Sequence, residues 1–386
     1  MIMRTLALFL ILFHCTFAQW NSWSDASTVR KNLLKAAKEG KTYFSQFHVY
    51  DARSERNHFS SGYKEATGED LFVYGLDFYY ATGTYFDSTY KADNRKRIIE
   101  IVRKMWKDNG AIPSFSWHLE NPYVPSDFDN YMGCRYRKSS QVPDYPAKHR
   151  YVIREILEGT GDTCGYGRFR SKDDFANVYE TPAKWFDARI KEVASILNEL
   201  VDDDGKPIPM IIRLWHEMED DWMWWGRSSV SPKDYKAFFV LTEKSIKQYA
   251  QRAQILWGYG PDRHWKESDF FKWYPGDEYV DIIGFDDYSI GRDETDFQNV
   301  IKRAQFVSRE AEKKGKVAAL FETDNKDSST TNIFFRYRLK RLLQTNGVRL
   351  SLVQLWSTSK ISNEAQRVDR LEFLSNNAII IKRKGE

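Results

Sequence analysis

Short runs of β-branched and aromatic residues alternate with longer stretches of helical period along most of this chain. Eight runs read as strands: residues 42–49, 71–78, 111–117, 210–215, 254–259, 280–285, 317–321 and 350–356. Helical patterning follows several of them, at residues 92–107, 184–200, 233–252, 297–314 and 332–343. Gly110, Gly205, Gly315 and Gly347 stand just past helical stretches, where a left-handed cap suits glycine. Ser231-Pro232 reads as an N-cap followed by a first-turn proline. Strand–helix alternation with short connections predicts a parallel sheet with helices outside it. Eight such units predict an α/β fold of the (β/α)8 TIM-barrel type, in a single domain. A doubly wound open sheet is the alternative, weakened because no Gly-x-Gly-x-x-Gly turn follows the first strand. Residues 120–180 form a long insertion after the third strand, and loops of that length are usually functional.

The first residues change this picture. Arg4 precedes an apolar run at residues 6–13, and Thr16-Phe17-Ala18 puts small residues where a signal peptidase reads. Residues 1–18 are therefore expected to be a secretory signal, residues 19–386 the barrel, and the protein extracellular. The apolar run is too short to cross a bilayer, and no later run qualifies. Cys15 leaves with the signal. Cys134 and Cys164 remain as an even pair in an oxidising compartment, which predicts one disulfide within the insertion. Closing a loop of that size contributes about 3–4 kcal/mol by chain entropy.

Composition excludes more than it assigns. A net charge of +4 spread over 386 residues gives no case for nucleic acid. The aromatic share is high at 16%, with 13 Trp, which serves either a tryptophan-rich core or sugar-stacking platforms. Neither nucleic acid nor a membrane is an expected partner, and the chain is expected to act as a monomer.

The candidate chemistry lies at strand ends, where barrels of this type carry their catalytic groups. After the fourth strand comes Trp215-His216-Glu217-Met218-Glu219-Asp220-Asp221-Trp222-Met223-Trp224-Trp225-Gly226. A carboxylate placed among indoles resists desolvation. Glu322 closes the apolar seventh strand in Phe321-Glu322-Thr323. Two carboxylates at one barrel mouth are the equipment of glycoside hydrolysis. Alone, either could be a cap or an ion-pair partner.

The segment from Arg213 to Gly226 resembles the signature of glycoside hydrolase family 26, the β-mannanase family, written Arg-x-x-His-Glu-Met-x-x-x-Trp-x-Trp-Trp-Gly. Further similarity lies in Trp273-Tyr274-Pro275-Gly276-Asp277-Glu278-Tyr279-Val280-Asp281-Ile282-Ile283-Gly284-Phe285-Asp286-Asp287-Tyr288. Phe321-Glu322-Thr323, Ser116-Trp117-His118 with Asn121-Pro122, and Thr67-Gly68 with Tyr74-Gly75-Leu76-Asp77 add to it. The resemblance implies Glu217 as acid/base and Glu322 as nucleophile of a retaining endo-β-1,4-mannanase that needs no metal or organic cofactor. It also implies that His216 hydrogen-bonds and orients the nucleophile, and that His118 contacts the sugar being cleaved. Trp222 and Trp356 would be aromatic platforms, Tyr288 would face the nucleophile, and Asp286 would line the site. Trp225 reads as packing.

Two departures stand out. Ser357-Thr358 follows Trp356 where the family commonly has Arg-Asn, so a grip on a distal sugar is missing. This keeps β-1,3-xylan and mixed-linkage β-glucan as alternative substrates, with a non-hydrolytic carbohydrate-binding barrel as a third reading. Glu219-Asp220-Asp221 replaces a neutral stretch; it reads as a charged turn facing solvent, or as acidity that raises the pKa of Glu217.

Overall fold

The computed structural model describes residues 23–47, 70–82, 88–123, 151–164, 179–325, 334–356 and 364–381. Among these residues nine strands run parallel in one curled sheet. They are β1 (Thr42–Gln46), β2 (Val73–Asp77), β3 (Ile112–Ser116), β4 (Pro209–Arg213), β5 (Gln254–Tyr259), β6 (Ile282–Asp286), β7 (Val317–Thr323), β8 (Leu352–Leu355) and β9 (Ile379–Ile380). The spatial order is β2-β3-β4-β5-β6-β7-β8-β1-β9. β1 and β2 meet at a single bridge, Phe47 to Gly75, which brings the sheet round on itself. A Cβ on Gly75 would lie 2.4 Å from both the Phe47 ring and the Gln354 side chain, so this close approach requires glycine. The fold is the expected (β/α)8 barrel. β9, which the apolar pattern did not reveal, pairs with Thr42 and Tyr43 at the start of β1.

The helices are α1 (Ala26–Lys38), α2 (Tyr79–Thr82), α3 (Ser88–Asn109), α4 (Val152–Glu158), α5 (Pro182–Glu199), α6 (Pro232–Tyr249), α7 (Glu294–Lys313), α8 (Lys340–Gln344) and α9 (Glu364–Leu374). Five of them cover predicted stretches, although 332–343 forms a π-helical turn at Phe334–Leu339 before α8. Ser231 caps α6 as expected, accepting from the Asp234 N–H at 3.1 Å. Helix α1 was not anticipated. Asp25 caps it, accepting from the Thr28 N–H at 2.7 Å, and Val29, Leu33 and Ala36 are buried. Those side chains join Tyr43, Val73, Ile112, Ile211, Leu256, Ile282, Val317 and Leu352 in one apolar cluster. These come from the beginnings or middles of eight strands, so α1 closes the barrel end opposite the strand C-termini.

A second, larger apolar cluster lies between the sheet and its surrounding helices. It contains Trp117, Trp185, Trp215, Trp224 and Trp225, which places much of the tryptophan content in the core. Within the insertion, α4 and an isolated bridge between Cys164 and Tyr179 are described. Cys164 is a buried free thiol, pushed up to about 12 mainly by burial. Its expected partner Cys134 lies outside the described residues, as do residues 1–18 and the Thr67-Gly68 motif.

Candidate active site

The chain leaves β4 through a strained turn. Trp215 and Glu217 both hold positive φ, 47° and 57°, in a region that costs a non-glycine residue about 1–3 kcal/mol. Three hydrogen bonds fasten the turn. The Tyr235 hydroxyl donates to the Trp215 carbonyl at 2.8 Å, and the Trp225 indole donates to the His216 carbonyl at 2.8 Å. The Glu217 N–H donates to the Gly260 carbonyl at 3.0 Å. The indole of Trp215 itself donates to Thr242 on α6 at 3.0 Å. Trp225 therefore packs and braces the turn, as expected of it.

Glu322 reaches the same place from within β7. The register of β7 shifts against β6 at Phe285/Asp286 and against β8 between Leu320 and Thr323. Such irregularities re-aim side chains near functional sites. Its two oxygens are both engaged: Arg213 donates to Oε1, and the Tyr288 hydroxyl donates to Oε2 at 2.7 Å. Tyr288 thus faces Glu322 as the resemblance implied. His216 Nε2 stands 3.9 Å from Glu322 Oε1, too far for the expected hydrogen bond. Orientation of Glu322 falls to Arg213 and Tyr288.

Arg213 is the residue whose role the motif left unassigned. It ends β4 fully buried, donating to Asp286 at 2.6 and 2.5 Å and to Ser116 at 3.3 Å, besides Glu322. Its guanidinium lies 5.4 Å from the centroid of the Phe321 ring. Burial opposes its charge, but the Asp286 and Glu322 carboxylates outweigh that and hold it protonated. Asp286 is wholly buried behind Glu322 and does not line the cleft. Its work is to share this guanidinium. The signal in the sequence was an arginine closing an apolar strand, which is costly unless paired.

Among the described residues, Glu217 has no such cation in contact. Its hydrogen-bond donor is the Trp222 indole, 2.5 Å from Oε2. Burial, then the charge of Glu322, then that of Asp262, push its carboxyl up to about 8. Three buried carboxylates, those of Glu217, Asp286 and Glu322, surround one guanidinium, and Arg213 touches the other two.

A cleft of about 300 Å³ joins these groups. His118, His216, Glu217, Trp222, Tyr288, Glu322 and Trp356 line it, with Met223, Asp262 and Arg263. Seven of the eight expected active-site residues are therefore brought together. His118 Nδ1 lies 2.5 Å from Asp77 Oδ2, which anchors the ring. The His118 and His216 rings meet edge-on at 4.7 Å. Trp356 hangs from β8 through its N–H to the Thr323 carbonyl at 2.9 Å and tilts against Phe47 at 5.1 Å. Ser357 and Thr358 lie outside the described residues.

The expected solvent-facing turn after Glu217 is overturned: Glu219 and Asp220 are both buried. Asp220 is drawn in by His264, whose Nδ1 lies 2.7 Å from Asp220 Oδ2 and 3.1 Å from Asp262 Oδ2. These partners, Asp262 foremost, raise the imidazole to about 9. Sequence reasoning missed this cluster because 44 positions separate Asp220 from His264. Among the described residues, two constellations have the donors of a metal site, His216 with Asp286 and Glu322, and Asp220 with Asp262 and His264. In the first, Arg213 occupies the cationic role; in the second, the imidazolium does.

Residues 165–337 match the sequence profile of glycosyl hydrolase family 26. A mannan endo-1,4-beta-mannosidase of Bifidobacterium adolescentis is 24% identical over 297 residues, covering 75% of this chain and 26% of that protein. A mannan endo-1,4-beta-mannosidase of Bacillus subtilis is 28% identical over 233 residues, covering 58% of this chain and 52% of that protein. The chain thus spans about a quarter to a half of the length of these relatives. Among solved structures, GH26C from a Muricauda species superposes with a TM-score of 0.74 at 23% identity, covering 94% of this chain and 93% of that one. A GH26 beta-mannanase from Bacteroides ovatus superposes with a TM-score of 0.68 at 20% identity, covering 92% and 95%. Motif order, barrel architecture and these matches agree in likening the chain to glycosyl hydrolase family 26, whose profile covers residues 165–337.

Proposed function

We propose that this protein is a secreted endo-acting β-1,4-mannan hydrolase that retains anomeric configuration through two displacements. One observation carries the reading. Two buried carboxylates share a cleft in opposite surroundings, one clamped by Arg213 and Tyr288, the other desolvated beside an indole. In the first displacement a Glu322 oxygen bonds to the anomeric carbon while the glycosidic C–O bond breaks. Glu217 gives its proton to the departing oxygen. In the second, Glu217 takes a proton from water, and that water's oxygen displaces Glu322. The charge of Glu322 is quenched in the covalent intermediate. This removes one cause of the raised pKa of Glu217 and suits it to act as base.

Mannan as substrate draws support from the two curated relatives, each a mannan endo-1,4-beta-mannosidase. Secretion draws support from Arg4, the apolar run and Ala18. Among the described residues, no helix is long and apolar enough to cross a membrane. Ser357-Thr358 after Trp356 gives the alternative glycans their standing. The test is a panel of mannan, glucomannan, β-1,3-xylan and lichenan, read by product chain length. Rapid shortening of mannan into oligosaccharides is expected; intact mannan alongside cleaved β-1,3-xylan or lichenan would reassign the substrate.

A further inference from the structure

The loop that follows β5 carries Asp262 and His264, and the loop that follows β4 carries Asp220 and Trp222. One imidazole joins them. His264 Nδ1 bonds Asp220 Oδ2 at 2.7 Å and pairs with Asp262 Oδ2 at 3.1 Å. The His264 ring also meets the Trp222 indole edge-on, with centroids 5.9 Å apart. That indole donates to Glu217, and the Glu217 N–H is held by Gly260 at the root of the same β5 loop. Asp262 is buried, lines the cleft and acts on Glu217 through its charge. Asp220 belongs to the acidic stretch that departs from the family signature, so the clamp is built from residues outside that signature.

We propose that His264 is a positioning residue that ties the β4 loop to the β5 loop, steadies Trp222 against Glu217, and screens Glu217 from the charge of Asp262. The proposal rests on the reading of Glu217 as the acid. The groups facing Glu217 are Glu322 from β7, Arg213 from β4, Asp286 and Tyr288 from the β6 end, Asp262 from the β5 loop, and Glu219 from its own loop. Those facing His264 are Asp220 and Asp262. Asp262 and Asp220 raise the His264 imidazole to about 9, so it carries its charge at neutral pH. Losing that charge unmasks Asp262 and makes Glu217 harder to ionise. Losing Asp262 does the reverse.

The experiment titrates Glu217 by carbon-13 NMR in full-length protein labelled at glutamate δ-carbons, its resonance assigned by Glu217→Gln. It is repeated in His264→Gln, His264→Lys and Asp262→Asn, alongside pH–rate profiles on mannan. In His264→Gln the Glu217 titration should move up by about 0.5–1 unit, and in Asp262→Asn it should move down by about as much. His264→Lys should return it close to the wild-type position. An unmoved titration in His264→Gln, or a shift of the same sign in His264→Gln and Asp262→Asn, would overturn the proposal. Should Asp262→Asn fail to fold, the contrast between His264→Gln and His264→Lys decides. A wild-type protein that leaves mannan uncut would defeat the functional reading, while the titration would still judge the role of His264.

Discussion

The two sides of the cleft hold the same kind of side chain and treat it in opposite ways. On the β6–β7 side, Glu322 is gripped at both oxygens, by a guanidinium and by a phenol. On the β4–β5 side, Glu217 sits on a strained turn beside an indole, with carboxylates nearby and, among the described residues, no cation in contact. A carboxylate held at both oxygens is fixed in place to meet carbon; a desolvated one keeps its proton and can give it away. The difference lies in the neighbours, which come from β4, β5, β6 and β7 and the loops that follow them.

The sharpest way to break that contrast is to remove one side. Glu217→Ala should slow mannan cleavage by about 10²–10⁴-fold. Loss on an aryl glycoside with a good leaving group should be far smaller, because that bond breaks without a proton. Equal losses on both substrates, measured by steady-state kinetics, would place the acid elsewhere.

Arg213 tests the other side through stability. Arg213→Met leaves Asp286 and Glu322 buried without their cation, and losing one member of such a set costs about 3–5 kcal/mol. Denaturant unfolding should show this, and adding Asp286→Asn should recover part of it. An unchanged unfolding midpoint would mean that the guanidinium is not what keeps these carboxylates buried.

Trp222→Phe should have the smallest effect. It removes the donor to Glu217 Oε2, a bond worth about 1 kcal/mol, or roughly fivefold in rate. That bond favours the ionised carboxylate. Its loss should therefore move the alkaline limb of the pH–rate profile, expected near 8 in the wild type, to higher pH. A limb that falls instead would count against Trp222 as the donor.

The barrel was legible because eight strands are apolar runs bounded by turns, and all eight formed within a few residues of where they read. β9 was not, since two isoleucines make no pattern of their own. Helix α1 could have been read: Asp25 followed by Val29, Leu33 and Ala36 is a cap and an apolar stripe. Glu217 and Glu322 were legible through their strand-end positions and the resemblance. Asp286 was placed in the cleft by the motif and lies behind it, because Arg213 needs a second carboxylate. Nothing local predicts the burial of Glu219 and Asp220. The partner that neutralises Asp220 comes from a loop after the next strand, and only the folded barrel brings them together.

Trapping the nucleophile tests the central contrast most directly. A mannoside with fluorine at C2 and a good leaving group at C1 should form the covalent intermediate and release it slowly. Digestion and mass spectrometry would then locate the sugar. Label on the peptide bearing Glu322 is the predicted result; label on the peptide bearing Glu217 would reverse the two roles and contradict the assignment.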